Sequence, residues 1–225
     1  MSYFEKNTIN FLQNLKENND KVWFKENEND YRRFVLEPLQ DLVVDLSDTI
    51  LNIDDEIETN PAIGKTISRI YRDIRFSKDK SPFRSNMWIT FKRPIKDWQD
   101  YPGFFFEIAP DHYCYGMGFY NAAIKTMDIF RKKIQLFPEG FRKVISFLNN
   151  DKSGFTVGGD SYKRILNDTI PDDLKSWYQK KSFYVIKNIE INERLFSDDL
   201  LKSLSTDFKM LKPLYRYMLS IKKEG

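Results

Sequence analysis

Residues 65–84 read KTISRIYRDIRFSKDKSPFR. Seven basic side chains (Lys65, Arg69, Arg72, Arg75, Lys78, Lys80 and Arg84) stand there against two acids (Asp73 and Asp79), a local charge of +5 in a chain whose net charge is +3. The remainder is slightly acidic, so the basic excess is concentrated. Guanidinium forks match phosphate and carboxylate oxygens in pairs, lysines supply point charges, and serines and backbone amides add donors. Ser77-Lys78-Asp79-Lys80-Ser81-Pro82 has the composition of a turn, where binding groups are commonly presented. The sharper reading is a site for a small anionic ligand built from Arg69, Arg72, Asp73, Arg75, Lys78, Asp79, Lys80 and Arg84, with Glu107. The plainer one is a surface ion ladder of Arg69, Asp73 and Arg75, a structural pair at Arg72, and solvated lysines.

Backbone geometry decides where these groups point. Alternation over 67–76 predicts a strand with Arg69, Tyr71, Asp73 and Arg75 on one face and Ile70, Arg72, Ile74 and Phe76 on the other. That second face is apolar around one guanidinium. Burying it unpaired is costly, so Arg72 needs a carboxylate, backbone carbonyls, solvent or a bound anion. Glu107, in a Phe-rich predicted strand, is a candidate partner. Gly64-Lys65-Thr66 looks like the end of a nucleotide phosphate loop, but position 59 is Thr where that motif needs Gly, which discards it.

Glu107, Asp111, His112 and Asp160 are the other side chains suited to acid–base work if the sheet forms a pocket. The chain has one His and one Cys. This excludes a disulfide framework, an all-thiolate zinc site and the common His-rich metal sets; no metal site is expected and no cofactor is identified. His112 and Cys114 are two positions apart, which on a strand places both on one face about 7 Å apart. A Cys–His dyad there competes with Cys114 as a small buried hydrophobe and His112 as an exposed residue after a turn. Gly158-Gly159-Asp160 suits a tight turn. Gly116 and Gly118 inside a predicted strand signal close approach of backbone or ligand, or a bulge.

The elements that must hold these groups are read from periodicity. Ile9, Phe11, Leu12 and Leu15 predict a short helix ended at Asn18-Asn19. Asp20 is placed to cap the next, which carries Trp23, Tyr31, Phe34 and Val35. Pro38 fits a first helical turn before Leu39, Leu42, Val43, Leu46 and Ile50. The period then changes to two, predicting strands over 67–76, 87–93, 104–109 and 113–119, the last pair a hairpin across Pro110-Asp111. Asn121 is expected to cap a helix with Ala123, Ile124, Met127, Phe130 and Ile134, and Pro138 to open another with Phe141, Val144, Ile145 and Leu148. A short strand is expected at 155–157, interrupted by Gly158-Gly159, and a stronger one at 183–191. Leu201, Leu204, Phe208, Leu211, Tyr215 and Met218 stripe a last helix that Pro213 should kink or divide. The expectation is α+β: one domain over 1–225, a central, largely antiparallel sheet, and helical segments at both ends and between strands.

Arg69-Ile70-Tyr71-Arg72-Asp73-Ile74-Arg75-Phe76-Ser77-Lys78-Asp79-Lys80-Ser81-Pro82-Phe83 resembles the central signature of the domain of unknown function 2461 family. Phe11-Leu12, Leu15, Asn18-Asn19, Trp23-Phe24, Tyr31 and Pro38 resemble its opening pattern, and Gly159-Asp160-Ser161-Tyr162-Lys163-Arg164 a later one. After Arg164 the chain reads ILNDTIP, where that family's pattern is more basic. The resemblance implies a bacterial-type soluble single domain with no established activity. It makes the basic segment a defining feature and supplies no reaction.

Composition narrows the partners. With 225 residues, a compact form buries roughly 70% of the surface its unfolded chain exposes. Aromatics at 16% exclude a disordered chain. No apolar run approaches the ~20 residues of a membrane helix and the first residues lack the order of a signal peptide, so a cytoplasmic protein without membrane contact is expected. Three classes remain: an enzyme or binder for a small phosphate- or carboxylate-bearing ligand, a nucleic-acid module, and a non-catalytic interaction domain. Nucleic acid ranks below the small anion because the pI is 8.7 and acids interleave the basic run. Composition says nothing of the oligomeric state.

Overall fold

The computed structural model describes residues 2–75, 78–149 and 153–223. Four helical segments come first: α1 (Lys6–Glu17), α2 (Lys21–Glu26), α3 (Glu28–Tyr31) and α4 (Glu37–Leu51). Asp20 caps α2 as expected, accepting from the backbone N–H of Val22 (2.8 Å) and Trp23 (2.9 Å). Between α3 and α4 the chain stays helical but widens into a π turn at Arg32–Leu36. Pro38 explains it. Without an N–H it cannot bond to the Phe34 carbonyl, which instead accepts from the Thr8 hydroxyl at 2.8 Å.

Five strands form one sheet in the order β1-β2-β3-β5-β4. They are β1 (Met87–Phe91), β2 (Pro102–Ile108), β3 (His112–Phe119), β4 (Thr156–Gly158) and β5 (Tyr184–Glu190), and the sheet is antiparallel. Interleaved with them are α5 (Ile124–Leu136), α6 (Pro138–Val144) and α7 (Asp172–Tyr178); α8 (Asp199–Lys223) closes the chain. The expected α+β class is what the chain adopts. Strand β4 pairs with β5, Val157 opposite Val185.

Two compact units share these elements: Met1–Phe91, Phe105–Tyr115 and Asn188–Asp207 form one, and Lys92–Phe104, Gly116–Lys187 and Phe208–Gly225 the other. In the first, Phe4 stacks on Phe106 at 5.7 Å, and Leu12, Leu15, Val35, Leu39, Leu42 and Leu46 are buried. In the second, Phe104 lies 5.0 Å from Phe208 and 5.2 Å from Tyr215, while Phe130, Phe141, Trp177 and Phe183 pack ring against ring. Tyr113, Tyr115 and Phe119 are core residues.

Three expectations are corrected. The segment 67–76 is not a strand over its described part: Ile67 stands opposite Ile89 and Tyr71 opposite Phe83 as single bridges. The bonds Thr90 N–H to Thr66 O, Ser68 N–H to Trp88 O, Arg84 N–H to Ile70 O and Arg72 N–H to Pro82 O still run beside it. The ladder stays incomplete because Pro82 has no N–H to return and the Trp88 N–H turns to the Ser68 hydroxyl (3.0 Å). Phe76 and Ser77 lie outside the described residues. Asn121 does not cap α5. That helix begins after Ala123, whose N–H donates to Asp100 at 2.6 Å, and Asp100 also accepts from Thr126 (2.9 Å) and pairs with Lys222. Finally, of the kink or division expected at Pro213, division does not occur: α8 runs through it.

Candidate functional site

Beyond the irregular pairing of 66–72 with 82–90, side chains of the described residues no longer alternate. Ile70 is buried and Arg69 exposed, as alternation requires, but from Tyr71 onward Asp73, Ile74 and Arg75 are all exposed. Arg72 is half-buried rather than sunk in an apolar face. Its Nη1 pairs with Asp79 and donates to the Ser81 hydroxyl at 3.0 Å; Glu107, the partner expected for it, instead accepts from Asn86 Nδ2 at 2.9 Å. Asp79 is the hub of this turn. The Ser81 hydroxyl (2.7 Å) and N–H (2.9 Å) donate to it, and those bonds, then Arg72, hold its carboxyl down at about 2.

Several of the other residues of the segment find partners of their own. Arg75 makes a two-pronged pair with Asp73 (2.9 and 2.7 Å), which holds the Asp73 carboxyl at about 2. Lys80 donates to the Ile74 carbonyl at 2.8 Å, and Lys65 lies 3.7 Å from Glu58. Lys78 and Arg69 are exposed. This is the ion-pair reading for one half of the segment.

The other half faces a pocket of about 550 Å³. Its basic lining is Lys16, Arg72 and Arg84, against the single acid Asp79. Asn19, Ser81, Ser85 and Asn86 add polar groups, and Phe83 forms an apolar wall. Of the nine residues expected at the site, Arg72, Asp79 and Arg84 line this pocket; Arg69, Asp73, Arg75, Lys78, Lys80 and Glu107 do not. Lys16, Asn19, Ser85 and Asn86 are the ones sequence reasoning missed. Arg84 is braced by its guanidinium stacking over Trp88 at 4.8 Å. Asn19, between α1 and α2, clamps Phe83: it donates to the Phe83 carbonyl (3.1 Å) and accepts from the Phe83 N–H (2.9 Å). Phe83 itself stacks on Phe24 at 4.2 Å.

Behind Asn86 lies the β2–β3 hairpin, closed by the Ala109 N–H to His112 O bond of 2.9 Å. His112 Nδ1 lies 2.7 Å from Asp111 Oδ1, and this contact holds the Asp111 carboxyl below its ordinary range, with Lys16 a minor contributor. Burial, then the negative charge of Glu107, pushes the Cys114 thiol up to about 12. Asp160 is exposed and its carbonyl accepts from the Lys181 N–H at 2.7 Å, consistent with a turn residue. No helix among the described residues is long and apolar enough to cross a membrane.

A sequence family described as a conserved hypothetical protein (DUF2461) matches residues 7–217. No curated protein matches the chain.

Proposed function

The chain belongs to the DUF2461 family, a membership that names no reaction, and from that premise we propose that its pocket binds a small phosphate- or carboxylate-bearing ligand. The observation that carries the reading is the lining: three cations and one acid around a concavity edged by serines and asparagines. The side-chain bonds of Arg72 to Asp79 and Ser81 both leave from Nη1, so those two residues do not occupy the rest of the fork. A hollow of this size suits a small molecule better than the continuous exposed stripe a nucleic-acid groove would need.

Phosphate-dependent thermal stabilisation tests it. A ligand at a hundred times its Kd stabilises by about 2.7 kcal/mol, which for a chain of this length is roughly 5–10 °C. The parent should show such a shift in inorganic phosphate or a phosphomonoester. Lys16→Glu with Arg84→Glu should abolish it, whereas Arg75→Glu with Lys80→Glu, outside the pocket, should leave it intact. The reverse pattern, or an unresponsive parent, would remove the proposal.

Asp79 gives a second prediction. Because its carboxyl titrates near 2, it stays ionised from pH 4 to 8 and repels an anion throughout that range. Its bonds to Ser81 and Arg72 support the turn above its ordinary value of 3.8 and are lost as pH falls through about 2. Asp79→Asn is expected to tighten phosphate binding roughly three- to tenfold at low salt, less at high salt, with no step between pH 5 and 6.5 beyond that of phosphate itself. Calorimetric titration of both proteins measures it; weaker binding by the variant would mean that Asp79 orders the site more than it repels the ligand.

A further inference from the structure

The hairpin that carries Glu107 brings together three donors of different chemistry. Ala109 faces His112 across the turn, and continuing that antiparallel register by two residues sets Glu107 opposite Cys114. The two-residue period puts His112 on the same face as Cys114. One carboxylate oxygen, one imidazole nitrogen and one sulfur from these three residues all lie within 4.8 Å of one another.

We infer that Glu107, His112 and Cys114 form a binding site for a single zinc-class divalent cation. Tetrahedral zinc bonds sulfur at about 2.3 Å and nitrogen or oxygen at about 2.0–2.2 Å, which keeps ligand atoms roughly 3.3–3.8 Å apart. Closing from 4.8 Å therefore needs side-chain adjustment of about 1 Å, not a new backbone. Thiolate, imidazole and carboxylate together match a borderline ion and not calcium or magnesium, which take oxygen ligands.

Support around the trio has the form metal sites use. Asp111 Oδ1 lies 2.7 Å from His112 Nδ1, the position from which a carboxylate behind a metal-bound histidine fixes the ring and leaves the Nε2 lone pair to the metal. Asn86 orients Glu107 from the other side. Three protein ligands leave one position of a tetrahedron for water or substrate, the count of a catalytic site. Asn86 also lines the anion pocket, so the cation would sit one hydrogen bond behind that wall. The inference does not rest on the anion reading, since the donors lie on the hairpin and not in the pocket lining.

Titrating the chelator-stripped full chain with Zn²⁺, and separately with Co²⁺ as a spectroscopic probe, tests it. The expected result is one equivalent bound, with a thiolate-to-cobalt charge-transfer band and the strong visible bands of a four-coordinate ion. Cys114→Ser should lose the charge-transfer band. Asp111→Asn, an exposed change that leaves the core untouched, should keep the band and weaken affinity about 10–100-fold. Glu107→Gln should weaken binding and keep the sulfur signal. Absence of equimolar binding, a band that survives in Cys114→Ser, or unchanged affinity in both Asp111→Asn and Glu107→Gln would overturn the site. Phosphate stabilisation of the stripped chain is read independently, so either proposal can fail alone.

Discussion

Gly116→Ala is expected to lower the melting temperature by about 6–12 °C. A methyl group at Gly116 would overlap the Val185 carbonyl oxygen and reach 2.9 Å from Val185 C and 3.0 Å from Ile186 Cα. All three are backbone atoms of β5, so no side-chain rotation relieves the clash; β3 and β5 would have to part. Overpacking a well-fitted interior costs typically 1–3 kcal/mol and occasionally more, and backbone overlap belongs at or above the upper value. At roughly 2–4 °C per kcal/mol for a chain of this length, about 3 kcal/mol gives the stated shift. Gly118→Ala, which would overlap Tyr184 Cα and Cβ, should behave alike. Gly140 supplies the opposite sign. It lies in α6 with its nearest added contact at 3.8 Å, so alanine there should raise stability by roughly 0.5–1 kcal/mol. Thermal unfolding of the three variants checks the account, and a Gly116→Ala shift below about 2 °C would show that β3 and β5 separate cheaply.

What is local in the chain was legible before the structure was. Asp20 caps α2 because the groups it satisfies are two and three residues away, and the Pro110-Asp111 hairpin turns where its residue types demand. Helix stripes such as Phe208, Leu211, Tyr215 and Met218 are buried as periodicity requires. What failed depended on distant partners. Alternation over 67–76 describes side chains correctly from Arg69 to Tyr71, yet pairing is decided by the donor Pro82 lacks and the Trp88 N–H that Ser68 intercepts. The helix cap expected of Asn121 is supplied instead by Asp100, more than twenty residues upstream of the bonds it accepts.

The site divides the same way. A count of charges over 65–84 treats its cations as equivalent, whereas Asp73 satisfies Arg75 and the Ile74 carbonyl takes Lys80, leaving Arg72 and Arg84 on the pocket. Lys16 could not be placed there from spacing, because α1 reaches the pocket only through tertiary packing. The neighbouring Asn18-Asn19 carried a signal, read as a turn, whose function is a clamp reaching 64 residues along the chain. Glu107, His112 and Cys114 were each singled out, but only the hairpin register unites them.

Asn19→Ala is expected to destabilise the chain by about 2–4 kcal/mol and to remove phosphate stabilisation at once. Its amide satisfies both the N–H and the carbonyl of Phe83, a residue 1% exposed. Alanine would strand two backbone groups in a partly buried position, and each unsatisfied group costs roughly 1–3 kcal/mol. Phe83 is the apolar wall of the pocket and Arg84 follows it directly, so loosening Phe83 displaces the guanidinium proposed to hold the anion. Asn18→Ala is the control. That side chain bonds back to Asn14 O at 3.0 Å on an exposed helix end, and its loss should stay within about 0.5 kcal/mol with the phosphate response unchanged. Denaturant unfolding with and without phosphate separates the two positions. Equal stability of both variants would mean that water replaces the clamp, and a stable Asn19→Ala that still responds to phosphate would mean that the wall needs no tie to α1.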